Sequence, residues 1–230
     1  MSLVLGQILT AVVTPFAEDG SVNLDSFKRL CVHLVENGSD GVVVAGTTGE
    51  APTLSDEERL GLFAAAIEAV GDRADVVAGT GTYSTAHSVH LTREAHKLGV
   101  DAFLVVTPYY NKPPVRGIVA HFEAIATVTD KPIVVYNIPQ RVVINLEPEA
   151  IAQLAEIDNV KAVKQANDDL EQARAIVEGT GKNGNDTVGF TLEVVDGGES
   201  SVNDTFSLQM EPGGSRNGTV TKGNIQIHKR

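Results

Sequence analysis

A lysine inside an apolar run is the first residue that could do chemistry. In "VKAVKQANDD" (160–169), Lys164 lies between Val163 and Ala166 in a stretch that otherwise reads as a buried strand. Counting alternate residues sets Lys164 on one face with Val160, Ala162 and Ala166, and Lys161 on the opposite face near the strand's start. Lys161 can snorkel to solvent there. Lys164 lies toward the carboxyl end, where parallel α/β architectures bind their ligands. Desolvation at that end disfavours the ammonium form and leaves a free amine able to attack a ketone, which is Schiff-base chemistry. The structural alternative is a lysine paired with a carboxylate inside the fold.

Other strand ends supply what such an amine would need. Tyr136 in "VVYNIP" holds the corresponding late position of the preceding strand, and a phenol beside an amine can relay the protons of imine formation and breakdown. "AGTTGE" (45–50) ends another strand with Thr47, Thr48 and two glycines, so backbone donors can approach a carboxylate closely. "TPYYNKP" (107–113) ends a third with paired tyrosines, Tyr109 and Tyr110. Arg141 follows the Tyr136 strand and offers a bidentate fork for a second carboxylate. Taken singly, such residues often serve packing or turns. Jointly, at carboxyl ends, they specify a site for acidic carbonyl compounds.

The elements that must position these residues follow a rhythm. Apolar runs rich in Val and Ile occur at 8–16, 41–47, 75–81, 102–108, 132–139 and 160–166, and their starts are 27 to 34 residues apart. Between them lie amphipathic stretches with readable caps, such as Ser55 with Glu58 as a capping box. "NLDSFKRLCVHLVENG" stops at Gly38. The strands are apolar almost throughout, as expected where both faces of a parallel sheet are covered. Six βα units suit either a doubly wound sheet or a (β/α)8 barrel two units short. Periodicity alone does not choose.

Composition narrows the function classes. The chain has 230 residues, 42% of them hydrophobic, enough for a real core. With 18 Lys and Arg against 30 Asp and Glu, the formal charge of -12 would repel a phosphate backbone, so nucleic acid is not an expected partner. Cys31 is the only cysteine, which rules out an intrachain disulfide and reads as a buried helix residue in a reducing compartment. No apolar run is long enough to span a bilayer and none follows a charged leader, so the expectation is a cytoplasmic protein with no membrane partner. His87 and His90, at i, i+3 on one helix, read as solvated helix faces, and no metal is expected.

The chain changes character near Gly179. Alanine does not occur after Ala175, and the last 55 residues are rich in Gly, Ser, Thr and Asn. "TVGFTLEVVD", "DTFSLQMEP" and "GTVTKGNIQIHK" read as three antiparallel strands with Gly-containing turns. The spacing therefore predicts one module over 1–178 and a β-rich tail over 179–230 that sits apart from it. "GTGKNG" (179–184) matches G-x-G-x-x-G but opens no helix, and reads as a linker. Asn-x-Ser/Thr sequons at Asn37, Asn185, Asn203 and Asn217 would matter only in a secretory compartment.

Over about residues 5–178 the chain resembles the dihydrodipicolinate synthase and N-acetylneuraminate lyase superfamily of pyruvate-dependent class I aldolases, most of all its synthase branch. The resemblance rests on "GVVVAGTTGEAPTLSDEE" and on "YNIPQRVVIN" followed by "AVKQA". It implies a TIM barrel, here incomplete, with six of eight βα units followed by the unrelated tail, so that the chain reads as a chimera. It implies that Lys164 forms the imine with pyruvate, Tyr136 relays protons and Thr47 hydrogen-bonds Tyr136. Tyr110 would complete the relay from a neighbouring subunit of a homo-oligomer. Thr48 would help hold the pyruvate carboxylate, and Arg141 would receive that of aspartate semialdehyde, in lysine and diaminopimelate biosynthesis. The superfamily needs no metal or organic cofactor. "GTTGE" with Arg141 favours the synthase over the sialic acid lyase. A sugar-acid (2-keto-3-deoxy) aldolase remains an alternative, as does a truncated, inactive barrel acting in binding or assembly.

Overall fold

The computed structural model describes residues 5–180 and, beyond them, the short strands 182–183, 186–187, 190–195, 204–210, 214–220 and 227–228. Six parallel strands stand side by side in chain order: β1 (Leu9–Ala11), β2 (Gly41–Val44), β3 (Asp75–Gly79), β4 (Ala102–Val106), β5 (Ile133–Asn137) and β6 (Val160–Gln165). Helices α1 (Leu24–Glu36), α2 (Asp56–Val70), α3 (Thr85–Leu98) and α4 (Val115–Ala126) make the first four crossovers. A single-turn α5 (Pro139–Val142) and α6 (Pro148–Ala155) make the fifth, and α7 (Leu170–Thr180) follows β6. This is the expected α/β half-barrel of six βα units. The alternative of a doubly wound sheet is excluded by the second, inner core described next, since helices cover only the outer face.

Alternation along each strand feeds two cores. Val42, Val44, Val76, Phe103, Val105 and Ile133 face outward onto Phe27, Phe63 and Phe122 of the helices. Val43, Val77, Leu104, Val134, Tyr136 and Ala162 face inward on each other. The local signals hold at helix ends. Ser55 Oγ accepts from Glu58 N–H while Glu58 Oε2 accepts from Ser55 N–H, a reciprocal cap on α2. Asn23 caps α1 through Ser26 N–H, and α1 ends before Gly38, whose φ of 103° suits a residue without Cβ. Cys31 is fully buried on α1, and burial pushes its thiol up to about 12.

Three sequence expectations need correction. Strand parity fails at the start of β6. The ladder with β5 shifts register between Ile133 and Val134, with Ile133 opposite Val160 and Val134 opposite Ala162. Lys161 is the extra residue of a bulge, so Val160 joins the outer core while Ala162 faces inward. Lys164 keeps its inward face and Lys161 is exposed, as expected. β1 is also shorter than its apolar run. After Ala11 only Val12 N–H still reaches Val43 O, and Pro15, which has no N–H, is followed by an isolated bridge from Phe16 to Val22.

The third correction concerns the tail. β7 (Lys182–Asn183) and β8 (Asp186–Thr187) pair as a short hairpin, where a linker was expected, and α7 runs through residue 178 to Thr180. β9 (Phe190–Val195), β10 (Asp204–Met210) and β11 (Gly214–Val220) form an antiparallel sheet in the order β11-β10-β9. The third strand begins inside the run read as a turn. β12 (Ile227–His228) does not stay apart: it pairs antiparallel with β6, Ile227 opposite Val163 and His228 opposite Ala162. Among the described residues β1 pairs with β2 alone, so the sheet does not close. No described helix is long and apolar enough to cross a membrane.

Candidate active site

β5 and β6 bring the first two groups together. Tyr136 and Lys164 are register partners across the parallel ladder and both face inward. Lys164 is 4% exposed, and its Nζ lies 4.6 Å from the centroid of the Tyr136 ring. Among the described residues, no ion pair or hydrogen bond engages that amine. The alternative reading, a structural lysine–carboxylate pair, finds no carboxylate partner for Lys164 among the described residues. Burial holds the Lys164 pKa below the usual lysine value, so a larger share of the group is neutral amine near pH 7. The ring face of Tyr136 pulls the other way by attracting the ammonium form.

The "AGTTGE" turn supplies the facing wall. Ala45 and Glu50 take left-handed φ values of 50° and 57°, unusual for residues with a Cβ, and bracket Thr47 and Thr48 in a tight, hydrogen-bonded loop. Gly49 lets that loop seat against β1, since a Cβ there would meet Val12 O at 3.0 Å. Thr14 Oγ1 donates to Gly49 O at 2.7 Å and fixes the contact. The two threonine side chains are left exposed toward the opening.

Thr47, Thr48, Tyr136 and Arg141 line one cleft of about 490 Å³ at the carboxyl ends of the strands. Arg141 is carried by α5, which starts with Pro139 directly after β5 and stops at Val143, again left-handed at φ 65°. Lys164 is not among the residues lining the cleft, but its Nζ lies over the ring of Tyr136, which does line it. Ile138, Gln140, Ala166 and Asn167 complete the lining and were not singled out from sequence. Their signal was adjacency: each lies within three residues of Tyr136, Arg141 or Lys164.

Tyr110, like Lys164, is a predicted residue that does not line this cleft. It is 87% exposed and sits at φ 69° in the centre of a γ-turn closed by Asn111 N–H on Tyr109 O at 2.9 Å. Its neighbour Tyr109 turns inward to meet Tyr83 edge-on, ring centroids 5.4 Å apart. His87 and His90 are not simply solvated: Asp56 lies 2.7 Å from His87 Nε2 and 4.0 Å from His90 Nε2. Among the described residues no three His, Cys, Asp or Glu side chains gather as a metal set.

Comparison with known proteins gives this arrangement a family. Residues 4–193 match the model of the dihydrodipicolinate synthetase family. The chain is 56% identical over 172 residues to the 4-hydroxy-tetrahydrodipicolinate synthase of Moorella thermoacetica, covering 75% of this chain and 59% of that protein. It is 53% identical over 173 residues to the same enzyme of Desulforudis audaxviator, again with 75% and 59% covered. A crystal structure of dihydrodipicolinate synthase from Bacillus anthracis superposes with a TM-score of 0.75 at 40% identity, covering 77% of this chain and 61% of that one. The present chain thus spans about three fifths of the length of its curated relatives, and its six strands correspond to part of a TIM barrel. With the family model matching most of its length, the chain belongs to the dihydrodipicolinate synthetase family.

Proposed function

We propose that this chain binds pyruvate as an imine on Lys164 and presents the derived enamine to aspartate semialdehyde. One observation carries the reading: a nearly fully buried lysine with no carboxylate partner among the described residues, beside a tyrosine, at the cleft end of a strand. Nζ of Lys164 attacks the keto carbon of pyruvate, and loss of water gives the imine. Removal of a methyl proton forms an enamine, whose carbon attacks the aldehyde; hydrolysis frees the amine. Tyr136, with Thr47, serves the proton transfers, and Tyr110 of a neighbouring copy completes them in a homo-oligomer. The Thr47–Thr48 turn receives the pyruvate carboxylate. No metal or organic cofactor takes part.

The likeness to 4-hydroxy-tetrahydrodipicolinate synthases supports this reading, and since the chain spans about three fifths of their length a second reading is a half-barrel that binds without turning over. We also propose that residues 179–230 are a separate module joined to the aldolase part, 1–178. The substrate assignment is tested through Arg141, exposed on the cleft wall where an acidic aldehyde would enter. Arg141→Ala is expected to weaken use of aspartate semialdehyde by about 1.5–3 kcal/mol while pyruvate still forms its imine. Rates at varied aldehyde and pyruvate concentrations check this, and for a chain that does not release product, the gain in mass of the borohydride-reduced lysine adduct on adding aldehyde does. Equal loss of both steps would make Arg141 a structural residue.

A further inference from the structure

Behind the reacting pair, on the outer face of the same two strands, stands a second pair. Asn137 and Gln165 are register partners, each following Tyr136 or Lys164 by one residue. Asn137 Nδ2 donates to Gln165 Oε1 at 3.0 Å, and Gln165 Nε2 donates to Gln172 Oε1 of α7 at 2.8 Å. Gln172 Nε2 donates to the Leu146 carbonyl at 3.2 Å, and Leu146 N–H donates to Asn137 Oδ1 at 3.1 Å. These four bonds make a closed ring.

The ring runs one way. A peptide N–H only donates and a peptide C=O only accepts, so the two ends on Leu146 fix the orientation of all three carboxamides between them. Each amide uses its donor and its acceptor at once. Asn137 Nδ2 also donates to Asn145 Oδ1 at 3.1 Å and Gln172 Oε1 also accepts from Asn167 Nδ2 at 2.6 Å, so a group with only one capability at position 165 removes the direct tie between β5, β6 and α7 in a buried place, where Asn137 is fully buried and Gln172 is 6% exposed.

β6 depends on this side for its placement. Among the described residues its other edge carries β12, whose pairing at Val163 and Ala162 stops short of Lys164. We propose that Gln165 is a positioning residue, whose carboxamide locks β6 to β5 and α7 so that Lys164 is kept buried against the Tyr136 ring. The proposal rests on reading Lys164 as the reacting amine, but its test needs no pyruvate. Facing Lys164 is Tyr136 from β5, with Arg141 of α5 in the cleft beyond. Glu147 accepts from Gln172 Nε2 at 3.3 Å on the outer side, exposed Lys161 shares β6, and His228 holds the register position of Ala162.

The experiment is a titration of the full chain carrying 13Cε-lysine, followed by NMR, with the Lys164 signal assigned through Lys164→Arg. In the natural sequence the Lys164 midpoint is expected below that of the exposed lysines. Gln165→Met fills the same space without hydrogen bonds, and is expected to loosen β6, hydrate the amine and move the midpoint up by about one unit, a tenfold loss of free amine at neutral pH. Gln172→Leu opens the ring elsewhere and should shift it similarly, and combining the two should add little, because the ring acts as a unit. An unshifted midpoint in Gln165→Met whose melting temperature has dropped would make Gln165 merely structural and overturn the proposal. So would a natural-sequence midpoint equal to that of exposed lysines. Should Gln165→Met not fold, Gln172→Leu decides by the same readout. A depressed midpoint that rises in the variants, in a protein that captures no pyruvate, would uphold the ring and fail the imine reading.

Discussion

At micromolar concentration the full chain is expected to elute as a broad, self-associated species. β1 pairs with β2 alone among the described residues, leaving its outer backbone groups open. Beside that edge Ile8 and Val13 are 58% and 50% exposed, which is what a missing neighbour would leave uncovered. An open edge with apolar flanks is a template for pairing with another copy. Helix content should stay native-like in circular dichroism, with dye binding and a shallow melt where side-chain packing is incomplete. Lysine at both positions, Ile8→Lys with Val13→Lys, should shift the population toward monomer. Residues 1–180, which keep α7 whole, serve as the comparison. A monodisperse full chain with a sharp melt that is lost on removing the tail would contradict this, and would mean that the tail, beginning with β12 on β6, closes the barrel.

Replacing the reacting amine is expected to make the protein more stable while ending its chemistry. Lys164 is buried without a polar partner among the described residues, and its pKa is lowered by desolvation. Between the folded and unfolded pKa values the unfolded chain binds more protons, so stability rises with pH through that window. At neutral pH, on the acid side of the ordinary lysine value, the amine therefore opposes folding. Lys164→Met nearly keeps the length of the side chain without the charge, and is expected to add about 1–3 kcal/mol of stability at pH 7 by removing the cost of desolvating the ammonium. Its stability should also lack the rise toward pH 10 expected of the natural chain. Denaturant melts at pH 7 and pH 10 check both. A loss of stability in Lys164→Met would show that the amine is paired after all.

Much of this was legible because it follows from local patterns. The βα rhythm, the Ser55–Glu58 cap and the inequivalence of Lys161 and Lys164 each depend on residues close in sequence. Val160 was misplaced because a bulge at Lys161 resets alternation, and a bulge is set by the partner strand rather than by the run itself. The fate of β12 was hidden for a similar reason. Two residues gain a pairing only because β6 offers an open edge, and no composition of "NIQIHK" states that. Thr47, Thr48, Tyr136 and Arg141 were readable as a set since all follow strands at their carboxyl ends. The ring through Asn137, Gln165 and Gln172 was not, since it needs three amides from separate segments to converge on one peptide unit, and Gln and Asn carry no periodic signal.

The most direct measurement is mass spectrometry of the full chain after incubation with pyruvate and borohydride. Reduction of an imine leaves a stable secondary amine bearing the pyruvate carbons, and proteolysis locates it. A single adduct on Lys164, absent without pyruvate and absent in Lys164→Met, is the result expected. An adduct on Lys161 instead, or none on the folded protein, would contradict the assignment of Lys164 as the pyruvate-binding amine.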